Sequence, residues 1–181
     1  MTTEIEALRA SMRAAQVFGK GQYILKGIHW LEIVKLFYKR THMEGTTKES
    51  VICEFTVKGT NNPEMVVGET RSIVFNFEKK GWLSRFKALG LAIVGVDPEA
   101  RTPPEAEKAV EDIYVALRDD AERQRLGLPE NFAAGTLLRC EGIDGTIKTG
   151  PNAGKSIVDL KWLPAALSPE AKVAAASKAA A

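Results

Sequence analysis

The chain is poor in the side chains on which much catalytic and metal chemistry depends. Among its 181 residues there are only two cysteines and two histidines. These four residues, Cys53, Cys140, His29 and His42, do not have the spacing of a zinc site. Two histidines and two cysteines provide few candidates for a general base or a nucleophile. The sequence also contains no serine elbow and no reactive-cysteine context. The absences predict a protein that is not an enzyme and needs no cofactor.

Long apolar runs are absent as well. No run approaches the roughly 18 residues of a membrane span. The first residues, MTTEIEALRASM, begin with acids and lack the apolar core of a secretory signal. Cys53 and Cys140 each lie in a strand-like apolar stretch, which predicts buried thiols in a reducing compartment. We therefore expect a cytoplasmic protein that makes no membrane contact.

The net charge of +2 conceals a segregation of charge along the chain. Residues 20–90 contain 12 Lys and Arg against 7 Asp and Glu, whereas residues 97–130 contain 5 against 10. Residues 131–181 are again slightly basic, with 6 against 4. Two basic segments therefore flank an acidic one, and a polyanion could meet the basic parts while the acidic part faces elsewhere.

Residue patterns divide the chain into three parts. Thr3 and Glu6 have the spacing of a capping box, and Ile5, Leu8, Met12 and Ala15 follow at helical spacing. Residues 1–19 are thus predicted to be an amphipathic helix that packs on the domain or mediates self-association into a homo-oligomer. Residues 20–164 form the folded domain. Residues 165–181 are rich in Ala and Lys and are predicted to be a flexible tail that forms helix only transiently.

Within the domain, strands come first and last, with helices between them. Residues 22–40 predict one long first strand, bent at Gly27, followed by strands over 50–58 and 66–78. Residues 79–130 predict a helical insert. It contains one helix opening at Trp82 and a second that starts with Thr102 as its N-cap and ends near Gly127. The stretches GTLLRCEGI and SIVDLKWL then predict a second hairpin.

This order, three strands, a helical insert and two strands, is typical of the five-stranded OB-fold barrel. The segments GQYILKGI, GETRSIVFNF and GTIKTGPNAGKSIVDLKWLP, together with the helix that opens at Trp82, resemble bacteriophage OB-fold single-stranded-DNA-binding proteins over residues 20–164. The resemblance implies a mainly β domain with α insertions. It also implies sequence-independent binding of single-stranded DNA in phage replication or recombination, in the host cytoplasm.

One departure from that family concerns its protein partners. Many such proteins end in an acidic tail that recruits replication proteins, but this tail has Glu170 against Lys172 and Lys178. The acidic helix predicted over 103–126 is therefore the candidate surface for replication or recombination partners.

Aromatic and basic side chains alternate along the first strand. Rings can stack on bases while Lys and Arg follow the phosphates. Trp30 is favoured over Tyr23 as a stacking ring because it shares a strand face with Lys26, opposite the apolar residues. Tyr38 is favoured over Phe37 because a phenol tolerates a wet site. The predicted nucleic-acid-binding residues are Lys26, Trp30, Tyr38, Lys39, Arg40, Lys48, Lys58, Arg71, Lys148 and Lys155.

Two alternatives compete with this interpretation. Asp144, Asp159 and Lys161 have the form of a Mg²⁺-dependent nuclease site, in which two carboxylates hold the metal. The chain could instead be a protein-interaction or virion-structural β-barrel that uses an acidic or N-terminal helix as its contact surface. The loop 150–156 resembles a phosphate-binding P-loop in sequence. It has three residues between its first Gly and the Gly-Lys pair, where a P-loop has four, and residues that favour β-strand follow it. It is predicted to be a hairpin loop.

Overall fold

A computed structural model describes residues 23–43, 45–146, 148, 151 and 153–172. The described residues form a mainly β domain in which helices separate the third and fourth strands. The elements are β1 (Gly27–Met43), β2 (Thr46–Thr60), β3 (Thr70–Asn76), α1 (Trp82–Ile93), α2 (Pro104–Arg118), α3 (Asp120–Arg125), β4 (Leu137–Thr146) and β5 (Ser156–Pro164). The predicted order of strands, helical insert and second hairpin is confirmed. The N-terminal helix predicted for residues 1–19 lies outside the described residues.

β1 is the organising strand of the sheet. It begins at Gly27, five residues later than predicted, and pairs with β2 along its length and with β4 over Gly27–Glu32. Gly27 has a φ of 122°, and a Cβ there would lie 2.5 Å from the Asn61 side-chain oxygen. Only glycine combines that conformation with that close approach. The predicted bend at Gly27 is therefore where β1 begins.

Two register shifts interrupt the pairing of β1 with β2. One falls between Trp30 and Leu31 and the other between Ile33 and Lys35, where Val34 is the extra residue. A bulge of this kind bends the strand and restarts the alternation of its side chains. Residues after Val34 therefore do not follow the in-and-out pattern that Leu31 and Ile33 establish.

The strands lie in the order β3-β2-β1-β4-β5, and every pairing between neighbours is antiparallel. The predicted closed barrel is not what the described residues show, because β3 and β5 are the two edges of an open sheet. Tyr23 occupies the edge of β3 through an isolated parallel bridge to Ser72. Residues 23–25 and Arg85 of α1 line the cleft between β3 and β5. Residues 23–25 and helix α1 therefore lie in the space where β3 and β5 would pair in a closed barrel.

A single large core joins both ends of the sheet to the helices. Phe55 of β2 stacks on Trp162 of β5 at 5.4 Å between ring centroids, and Phe75 of β3 meets Phe86 of α1 edge-on at 5.6 Å. Cys53 and Cys140 are fully buried in this core, which confirms the predicted burial of both thiols. Burial raises the pKa of both thiols, so neither is poised to react.

The helical insert differs from its prediction at two points. α2 has Pro103 as its N-cap, not Thr102, and no side chain caps it. It ends at Arg118, because Asp119 is extended and its carboxylate accepts from the amides of Ala121 and Glu122 at the start of α3. Two helices therefore replace the single helix that was expected to run to Gly127.

The segment after β5 is described as far as residue 172. Ala165–Leu167 form a 3-10 turn, and Ser168 is fully buried. Glu170 pairs with Arg139 of β4 at 3.3 Å. The start of the predicted tail thus contacts the domain, and residues 173–181 lie outside the described part. None of the helices in the described ranges has the length and apolarity needed to cross a membrane.

Candidate nucleic-acid interface

The three strands β1, β2 and β3 present two distinct faces. One face carries the core and receives the buried side chains of α1 and α2. The opposite face, here called the outer face, consists of three rows that run across the strands in register. The rows are Lys35–Glu54–Ser72, Phe37–Ile52–Val74 and Lys39–Ser50–Asn76. Because paired residues project to the same side of a sheet, each row is a band of neighbouring side chains.

The centre of the outer face is an aromatic ring under a cation. The Lys35 Nζ lies 4.9 Å from the centroid of the Phe37 ring, within the range of a cation–π contact. Phe37 is half-buried and sits opposite Ile52. A ring flanked by an ammonium group offers one surface for a base and one charge for a phosphate. The sequence alone favours Tyr38 over Phe37 as the stacking ring.

Tyr38 points the other way. It pairs with Val51, which is fully buried in the core, and its hydroxyl donates a hydrogen bond to Glu49. Its ring lies 6.1 Å from Phe77, and the Arg118 guanidinium of α2 lies 5.5 Å from its centroid. The hydrogen bond to Glu49 raises the pKa of Tyr38. The sequence predicts Tyr38 on the ligand-facing side of β1, but it is Phe37 that lies on the outer face. The reason is the bulge at Val34, which restarts the alternation of side chains.

Trp30 lies on the outward side of β1, as predicted. It is opposite Gly59 of β2 and Arg139 of β4. A Cβ on Gly59 would lie 3.1 Å from the indole Cδ1, so glycine leaves room for the ring. Trp30 is half-buried and stands seven residues before Phe37, about 23 Å along an extended strand. Tyr23, the ring not chosen, lies before β1 and is exposed.

Several predicted cations gather near the β1–β2 hairpin. Lys39 pairs with Ser50, Arg40 with Glu49, and Thr41 with Lys48. Strand alternation places Lys39 and Lys48 on the outer side and Arg40 on the other. All three cations are exposed. The hairpin therefore extends the positive charge of Lys35 along β1.

Other predicted cations are exposed but lie elsewhere. Lys26 pairs with Asp144, and Lys58 pairs with Glu32 at 3.2 Å. Lys148 and Lys155 are exposed in the β4–β5 connection, part of which lies outside the described residues. Because β4 continues past Gly27, this connection and the β1–β2 hairpin lie at opposite ends of β1. The predicted cations are therefore distributed over both ends of β1.

Arg71 is not a surface cation. It is 5% exposed and bound to Glu69 at 2.6 Å. Its guanidinium also donates to the backbone oxygens of Tyr23 and Glu64, both at 3.1 Å. Arg71 therefore joins the segment before β1 to the connection between β2 and β3. This burial and these partners do not support the predicted contact of Arg71 with a phosphate.

The proposed nuclease set does not assemble. Asp144 pairs with Val158, and Asp159 pairs with Ile143, the preceding residue of β4. Since neighbouring residues of a strand project to opposite faces, the two carboxylates lie on opposite sides of the hairpin and cannot share a metal ion. Lys161 instead binds Glu99 at 2.8 Å. The described residues also contain no cluster of three or more His, Cys, Asp or Glu side chains arranged to hold a metal.

A buried histidine anchors the start of β1, and no sequence motif indicates this role. His29 is fully buried, and its two ring nitrogens contact the Leu25 carbonyl at 2.9 Å and the Thr60 hydroxyl at 2.8 Å. Desolvation lowers its pKa, and the nearby charge of Arg71 acts in the same direction. His29 therefore ties the segment before β1 to the end of β2. His42 is exposed in the hairpin, where Nδ1 meets the Thr47 hydroxyl.

Comparison with known proteins adds no relationship. No protein-family model matches this chain. No curated protein sequence matches it either.

Proposed function

We propose that the protein binds single-stranded DNA, without marked sequence preference, along the outer face of β1, β2 and β3. The observation that carries the proposal is the Phe37 ring under Lys35, in the central row of a face that Lys39 and Lys48 continue. Stacking on such a ring tolerates any base, and the cations would follow the phosphates. The strand-protecting role in phage replication or recombination follows from the resemblance.

The architecture supports the same proposal. The order β3-β2-β1-β4-β5, with helices between β3 and β4, becomes the OB-fold order if β3 and β5 are brought together. We propose that the domain is an open variant of that fold. OB-folds bind oligonucleotides on the face of strands 2 and 3 and with the loops between strands 1 and 2 and strands 4 and 5. In such an open variant, the outer face and the cations of the two connections would correspond to those positions.

A titration of fluorescent oligo-dT at two salt concentrations tests the proposal. Binding should weaken with salt, with a slope of log K of about 0.7 for each phosphate neutralised. Phe37→Ala should weaken binding by roughly 5- to 150-fold, because stacking contributes about 1–3 kcal/mol per base. Tyr38→Phe is the matched control on the helix-covered face and should bind like the unmodified chain.

Three results would count against the proposal. Absence of binding at low salt would remove the function and favour a protein-interaction role. Binding that ignores salt would exclude the phosphate contacts. Equal affinity of Phe37→Ala and Tyr38→Phe would move the site away from the outer face.

A further inference from the structure

The cleft between the edges of β3 and β5, here called the edge cleft, has mostly apolar walls. It is lined by residues 23–25, by Ile73 of β3 and by Val158 and Leu160 of β5. Its volume is about 340 Å³, within the range of roughly 300–1,000 Å³ that is typical of small-molecule sites. The lining therefore suits the apolar part of a small ligand.

The edge cleft is also accessible from solvent. Tyr23 and Ile157 both belong to its lining, and they are 52% and 38% exposed. Covering exposed apolar surface removes it from water and is favourable in proportion to the area that is covered. A ligand with an apolar chain therefore gains binding free energy in this cleft.

One cation interrupts the apolar lining. Arg85 of α1 lines the edge cleft and is exposed, and within the described residues its guanidinium has no ion-pair partner. None of the described residues that line the cleft is acidic. A guanidinium presents a fork of N–H donors that matches a carboxylate, and its single charge balances one carboxylate better than a phosphate monoester, which carries more charge. The charge of the cleft therefore favours a monocarboxylate.

The groove between α1 and α2 differs in this respect. Lys87 lines that groove, two residues after Arg85 and therefore on the other side of the helix. Its ammonium group binds Glu107 at 2.8 Å. Helix α1 thus carries a balanced cation in one groove and an unbalanced cation in the edge cleft.

We propose that the edge cleft binds a small amphipathic carboxylate, with its alkyl chain between β3 and β5 and its carboxylate at Arg85. This site is separate from the Phe37 ring of the outer face, and its occupation does not depend on DNA binding. The ligand class is defined by one negative charge at the end of an apolar chain.

Amide NMR of the full chain, titrated with decanoate, tests the binding. Decyltrimethylammonium has the same alkyl chain with a positive charge and is the ligand control. Decanoate should bind saturably, shift the signals of Ile73 and Val158 most, and bind at least about tenfold more tightly than the cation. Absence of saturable binding, equal affinity for the two ligands, or larger shifts in the groove between α1 and α2 would overturn the proposal.

Two pairs of variants separate the charge from the apolar contact. Arg85→Met should weaken decanoate binding about 3- to 10-fold and leave the affinity for uncharged decanol unchanged. Lys87→Met is its matched control and should bind both ligands like the unmodified chain. Ile157→Ser should weaken the binding of both ligands about 3- to 10-fold. Ile143→Ser, equally exposed at 38% but outside the lining of the cleft, should not.

The variants also define how the proposal fails. An equal effect of Arg85→Met on decanoate and decanol would overturn the carboxylate contact, and an unchanged affinity in Ile157→Ser would overturn the position of the alkyl chain. Absence of oligo-dT binding would overturn the proposed function alone, because none of these measurements uses DNA.

Discussion

Phe37 and Tyr38 are adjacent in sequence, yet they belong to different environments. Phe37 lies on the outer face with Lys35 above its ring, whereas Tyr38 lies among Glu49, Phe77 and Arg118 beneath helix α2. The Phe37 ring lies under a cation on the outer face, and the Tyr38 ring joins the helical insert to the sheet. The comparison shows that the face on which an aromatic side chain lies cannot be predicted from strand alternation alone, because a bulge changes which residues share a face.

The largest effect expected on the covered side is the loss of stability in Tyr38→Ala. The change removes a ring from the cluster and leaves Glu49 without its hydroxyl donor, so unfolding should cost about 2–4 kcal/mol less. Urea denaturation measures the loss, and Phe37→Ala should lose less than half as much. A larger loss for Phe37→Ala would mean that the outer ring is the structural one.

Arg71→Met should have the next largest effect, and again on stability. It removes the buried partner of Glu69 and of the carbonyls of Tyr23 and Glu64, so a loss of about 2–3 kcal/mol is expected. The salt slope of oligo-dT binding should not change. Lys48→Met is the control and should reverse the outcome, with stability retained and the slope reduced by about 0.7. A reduced slope in Arg71→Met would return Arg71 to the interface.

Part of this picture could be predicted from sequence alone. Periodicity located the five strands, the helix at Trp82 and the buried cysteines, because each depends on local pattern. The orientation of Phe37 could not be predicted, since it depends on the register shift at Val34. The burial of Arg71 could not be predicted either, because its partners come from distant segments. The open sheet could not be predicted either, because the bridge of Tyr23 to Ser72 at the β3 edge joins segments that are distant in sequence.

The pH dependence of stability separates the anchoring of β1 from its outer face. The pKa of His29 is lowered in the folded state, so the unfolded chain binds the proton more readily. Stability should therefore be retained above the unfolded pKa of about 6.5 and fall as pH drops below it, by at most about 1.4 kcal/mol per pH unit. Urea denaturation between pH 5 and 8, in a His42→Gln background, measures this. His29→Gln should flatten the curve, and an unchanged curve would exclude His29 as its cause.

The smallest effect concerns how far the interface extends toward Trp30. Glu32 and Lys58 form an exposed ion pair on the outward side of the sheet, and breaking it should change stability by less than about 0.5 kcal/mol. Glu32→Gln removes a negative charge and releases Lys58, so oligo-dT should bind about twofold tighter at low salt. Glu130→Gln, an exposed residue outside the strands, is the control for net charge. If both variants bind alike while Phe37→Ala binds weakly, the DNA path ends before Trp30, and only the half of β1 after the bulge belongs to the interface.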